Sequence, residues 1–347
     1  IDGDLTVRNG NSITDSGTLT VGGNLVATTD ANNGLINLGT LAVDGTVALT
    51  TNGSGNATVV NDVRIIFAAS TVGGNLAATA TTGNIRDNAS VTVAGTSSFT
   101  TSANNADIRL NNNNAFTGAV ALNTTGSSGK ATIDNGTTAL ILAASSVGGN
   151  LNVRSGNSIT DSGTVTVGGT LVATTDANNG VINLDQLAID LGIHLRTHGN
   201  GNATAVNDAG FLFGSAGSTV GGNLSATATT GNMTDNNDGS VTVAGTSSFT
   251  TSASNADITL DDADNAFSGA ITLSTNGSTG HATLDHGTTA INIAASSIGG
   301  NLTLTSGAAA GITDSGTLMV GGNLTATTDA NNGLINLGTL AVDGTVA

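Results

Sequence analysis

A five-residue phrase, Val147-Gly148-Gly149-Asn150-Leu151, returns as Val167-Gly168-Gly169-Thr170-Leu171, so the chain meets its own opening again after 20 residues. Between the copies lie short alternating runs, Leu151–Val153, Ile159 with its flanks and Val165–Val167, divided by Gly, Asn, Ser and Asp. Alternation of period two signals strands, and Gly and Asn accept the positive φ of tight corners. The same pattern runs through the first turn, Leu5–Val7, Ile13 and Leu19–Val21, and into a longer third turn from Val47 to Leu76. Coils of roughly 20–30 residues with three such strands imply a solenoid. The expected fold is all-β: a right-handed parallel β-helix with three short strands per coil. Inward aliphatics and the seven Phe form its stacks, Thr and Ser face out, and corner Asn side chains form amide ladders.

A second period overlies the first. The phrases headed by Leu5, Leu151 and Leu302 are equivalent and lie 146 and 151 residues apart. They divide the chain into a long repeat of about seven coils over 1–146, a second over 147–297, and the start of a third over 298–347. Three insertions account for the difference in length. Ala209–Ser218 is two residues longer than Val63–Ser70, Asp235–Ser240 two longer than Asp87–Ser90, and Asp261–Phe267 one longer than Asn111–Phe116. Insertions belong at corners, where extra residues bulge outward and leave the stack in place. The chain begins and ends within the pattern and is expected to be a slice of one continuous, longer solenoid.

Composition removes several function classes. The net charge is −17, from 24 acidic and 7 basic residues. The basic residues are scattered along the sequence, whereas nucleic-acid binding requires them clustered. An anionic membrane surface would repel the chain, and no apolar run reaches the roughly 20 residues of a membrane helix. With no Cys, disulfides and thiolate metal sites are excluded. With no Trp or Tyr, the chain lacks the aromatics on which a carbohydrate-active enzyme stacks sugars.

Candidate chemistry is sparse. His281 and His286 occupy the places of Lys130 and Asn135 in the preceding long repeat, while His198 and His194 occupy those of Asn52 and Ala48. All four are read as solvated corner residues. The acidic group Asp261, Asp262 and Asp264 is a weak Ca²⁺ candidate, because Ca²⁺ takes six to eight oxygen ligands; no other cofactor is expected. Paired carboxylates can also hydrolyse glycosides, but the equivalent stretch, Asn111–Asn114, could not do so. The recurring Asp15, Asp161 and Asp314 are read as turn formers bonding local backbone N–H groups. Thr-x-Thr ladders of the ice-binding kind are too irregular here, and no catalytic residue is assigned.

The phrases NLNVRSGNSITDSGTVTVGGTL, NADIRLNNNNAFTGAVAL and ATIDNGTTALILAASSVGGNL resemble the β-strand repeats of filamentous-haemagglutinin-like giant bacterial surface proteins, over essentially the whole chain. That resemblance implies export by two-partner or autotransporter-like routes, an extracellular or cell-surface location, and work as an adhesin or matrix fibre. The expected function is a non-enzymatic stiff fibre or stalk. The alternative is a self-associating filament or sheath, and a carbohydrate-active enzyme ranks behind both. Expected partners are further copies, end to end or side by side, and host, cell or matrix surfaces.

Overall fold

The computed structural model describes residues 1–235, 239–329 and 332–347. It is an all-β parallel solenoid of about 15 turns, with coils of roughly 22 residues and no helix among the described residues. No helix of those residues is long and apolar enough to cross a membrane. The chain divides into two units, Ile1–Leu171 and Val172–Ala347.

In the first unit, alternation places every second side chain inside. Leu76, Ala78 and Ala80 are buried while Ala77 and Thr79 face outward, and Val91 and Val93 flank exposed Thr92 in the same way. Each coil lies in parallel register on the one before it. Leu5 pairs with Leu25 and Leu25 with Val47; farther on, Ile65 pairs with Ile85, Ile85 with Ile108, Ile108 with Ala131, and Ala131 with Leu151. Like residues therefore stack, and each aliphatic side chain so buried contributes about 1.5–3 kcal/mol. From Leu5–Asn9 to Leu151–Ser155 the register makes seven steps.

The strands form two sheets rather than three. Most coils place one long strand in one sheet and two short ones in the other: Leu76–Ala80 is followed by Ile85–Asp87 with Val91–Val93. Some coils hold only two long strands, such as Val47–Asn52 with Ala57–Asn61. The third turn differs from the sequence expectation. Val47 stacks on Phe67, not on Leu76, which lies in the other sheet paired with Ala57 and Ser97. The Gly-Gly-Asn-Leu phrase thus opens a strand in either sheet, so its recurrence does not always measure one coil.

Corners are held by backbone and side chain together. Gly55, Gly74, Gly95 and Gly118 form a column in which each N–H donates to the preceding glycine carbonyl, at 2.9, 2.9 and 3.2 Å. Any Cβ there would press into the coil below, which explains the phrase. Asn ladders exist in a different form from side-chain amide stacks. The Oδ1 of Asn56 accepts the N–H of Asn75, and the Oδ1 of Asn75 accepts that of Thr96, both at 2.8 Å. Inside, Phe67, Phe99 and Phe116 interlock edge to face across the two sheets, with centroids 6.1 and 5.5 Å apart.

The second unit follows the same rules. Its first sheet steps from Phe211 to Met233, Ile258, Ala282, Leu302 and Leu324. Phe211, Phe213, Phe249 and Phe267 fill its core. Two of the insertions fall at corners, between Phe211–Phe213 and Ser218–Val220 and between Ile258–Leu260 and Ala266–Phe267. The third, Asp235–Ser240, lies partly outside the described residues. The core strands on either side keep their pairing.

Candidate functional site

One position in each half of a long repeat carries a fully buried polar side chain that clasps the coil beneath. Asn61 Oδ1 accepts the Val43 N–H at 2.9 Å, while its Nδ2 donates to the carbonyls of Val43 and Arg64. Asn135 does the same for Phe116, adding the carbonyls of Thr138 and Ala139. Asn207 clasps Ile189 and Gly210.

His286 takes the fourth position. Its Nε2 accepts the Phe267 N–H, its Nδ1 lies 3.1 Å from the Ala290 carbonyl, and its ring stacks on Phe267 at 5.1 Å. Burial holds the imidazole down to about 4 against partial compensation from the Ala290 and Thr289 backbone. His286 is therefore a core residue and not a solvated corner. His194 is also buried: the inserted stretch 214–217 folds over it, with Gly217 O 3.3 Å from Nδ1, and Arg196 donates to Ala216 O at 2.9 Å. Desolvation lowers its pKa, nearby Arg196 adds to that, and the Gly217 carbonyl opposes it. His198 and His281 remain exposed, as expected.

The proposed Ca²⁺ ligands do not converge. Asp262 is turned inward, and its Oδ1 accepts the Asp264 N–H at 2.8 Å, while Asp261 and Asp264 are exposed. The Asp262 N–H and the Asn265 amide both bond Oδ2 of buried Asp235, whose carboxyl desolvation pushes up despite those bonds. Among the described residues no group of three carboxylate or imidazole side chains is arranged to hold a metal. The first unit has the same cradle without the extra residue: Asp87 receives the N–H groups of Asn111 and Asn112 and the amide of Asn114.

Asp15 and Asp314 also act between coils rather than locally. Asp15 accepts from the N–H groups of Gly39 and Thr40, and Asp314 from those of Gly338 and Thr339. In Asp15 desolvation pulls the pKa up, but these bonds prevail and it is lowered; in Asp314 the bonds dominate and lower it.

A feature that sequence reading missed lies on the first sheet of the first unit. Arg64, Arg86, Arg109, Lys130 and Arg154 fall on five successive coils, with Arg86 and Arg109 in direct register. Residues scattered in sequence are thus gathered on one sheet, Arg64 and Lys130 two positions before the Arg86–Arg109 column and Arg154 two positions after it. The signal was their spacing of about one coil each, readable only once the coil length is fixed.

The Ala57–Asn61 strand leads through three pairings, to Leu76, Ser97 and Val120, before its counterpart Ala131–Asp134 appears half a coil later in the opposite sheet. The structural repeat is therefore three and a half coils. A model of repeats of unknown function matches four times at this interval, over residues 54–123, 128–194, 200–274 and 279–347. The chain belongs to this family, DUF5649. Each family repeat carries one clasp residue: Asn61, Asn135, Asn207 or His286. Two family repeats make the seven-coil long repeat, and the half-integral advance explains why the Gly-Gly-Asn-Leu phrase changes sheets. No curated protein and no solved structure matches the chain.

Proposed function

We propose that this segment is a mechanical spacer, a stiff extracellular stalk of a giant bacterial surface adhesin of the filamentous-haemagglutinin-like kind. The observation that supports this reading most is how buried polar groups are used. Asn61, Asn135, Asn207 and His286 are distributed one per family repeat, and each ties a coil to its predecessor. An enzyme would gather such groups in one cleft with matched protonation states. Here they are spread along the stacks, where they resist slippage and shear. The segment is non-enzymatic in this reading, and adhesive contacts with host or matrix surfaces belong to other parts of the assembly.

Electron microscopy of native material, with antibodies against this chain on intact cells, tests the proposal. Surface-labelled rods ending in a distinct knob are the expected result. Label confined to the cytoplasm, or the appearance of compact particles, would overturn it.

A further inference from the structure

The two units differ most in charge. The first has six cations against ten aspartates, a net of −4, and the second has Arg196 alone against fourteen, a net of −13. Five of the first unit's six cations are those on successive coils of its first sheet. Their equivalents in the following long repeat are Gly210, Thr234, Thr259, His281 and Thr305.

The aspartates beside them are retained. Arg109 pairs with Asp107 at 2.6 Å and Arg154 lies 3.9 Å from Asp134, but Asp257 stands beside Thr259 and Asp285 is in register with Thr305. The second unit also exposes Asp261 and Asp264 on one of its inserted corners. In the first unit the Arg86 and Lys130 side chains are exposed and have no ion-pair partner among the described residues. Arg64 and Arg86 line an open groove of about 450 Å³ with Val63, Thr82, Gly83 and Asn84.

We propose that copies of this chain associate side by side. The cation row of the first unit, centred on Arg86 and Arg109, docks on Asp257, Asp261, Asp264 and Asp285 of the second unit of another copy. Both surfaces are built on coils spaced about 4.8 Å apart, so charges can match coil for coil. The favoured occupant is a second copy because the complementary surface is the same repeat with its cations removed and its carboxylates kept. Such a contact joins unlike surfaces, and each copy carries one of each. This contact does not depend on the stalk reading, since a chain in any compartment would carry it.

Sedimentation velocity of the whole chain tests it, first at about 0.01 M salt, where the Debye length is roughly 30 Å, and then at about 1 M, where it is roughly 3 Å. Concentration-dependent association at low salt that disappears at high salt is expected. The Arg86→Thr, Arg109→Thr variant, which installs the residues of the second unit, should weaken association by roughly tenfold with an unchanged circular dichroism spectrum. An Asp261→Asn, Asp264→Asn variant should weaken it independently. A monomer at every salt concentration, or double variants that associate like the parent, would overturn the proposal. So would capture of labelled dextran sulfate by the cation row of a chain that stays monomeric, which would make the occupant an anionic polysaccharide.

Discussion

His286 performs with an imidazole what Asn135 performs with an amide, and the exchange makes one clasp sensitive to acid. The neutral ring must accept the Phe267 N–H, and burial lowers its pKa from 6.5 to about 4. Above pH 6.5 both folded and unfolded chains carry a neutral His286, and the clasp is fully stabilising. As pH falls from 6.5 towards 4 only the unfolded chain takes up the proton, so stability drops by about 3 kcal/mol across that window. In His286→Asn this part of the pH dependence should vanish from denaturant melts recorded between pH 7 and about pH 4. A slope equal to that of the parent would show that the ring is not the titrating group. At the equivalent position, Asn135→Ala removes the side-chain partner of the Phe116 N–H and of the Phe116 and Ala139 carbonyls, and urea melts should show a loss of about 1–3 kcal/mol. Sequence alignment had put His286 opposite Asn135 but gave no sign that either is buried. A polar residue beside Gly reads as a corner, and only the register shows that its side chain turns inward.

The glycine columns decide how closely coils can approach. A Cβ on Gly95 would lie 2.7 Å from the Gly74 carbonyl and nearer still to Asn75 Oδ1, whereas one on Gly17 meets nothing within 4 Å. Gly95→Ala should therefore cost about 1–3 kcal/mol by overpacking, and Gly17→Ala should stay within about 0.5 kcal/mol of the parent; equal effects in thermal or urea melts would contradict the column. The strands were legible in the sequence because alternation is a local property: Leu76, Ala78 and Ala80 announce themselves. The stacking was legible only in part. Leu25 and Leu76 follow the same Gly-Gly-Asn phrase, yet they lie in opposite sheets, because a family repeat advances by three and a half coils. Corner chemistry is alike in both sheets, so the phrase cannot tell them apart. The direction of Asp15 was hidden for a related reason, since its N–H partners, Gly39 and Thr40, are distant in sequence.

For the molecule, the consequence is a fold whose surfaces are set by register. Arg86 and Arg109 meet because Ile85 stacks on Ile108, and their charge enters a common field only through that pairing. Register is thus the claim on which both the charge map and the repeat geometry rest. Thr50, Thr71 and Thr92 face outward on three successive coils of one sheet, in direct pairing. Because the chain has no Cys of its own, pairs introduced at these sites report on register cleanly. The decisive measurement is disulfide formation under mild oxidation in three double variants. Thr50→Cys with Thr71→Cys, and Thr71→Cys with Thr92→Cys, should cross-link readily, since neighbouring strands lie about 4.8 Å apart. Thr50→Cys with Thr92→Cys should not, at about twice that distance and beyond the roughly 7 Å limit for a bridge. Failure of the adjacent pairs, or equal cross-linking of the distant one, would contradict the solenoid described.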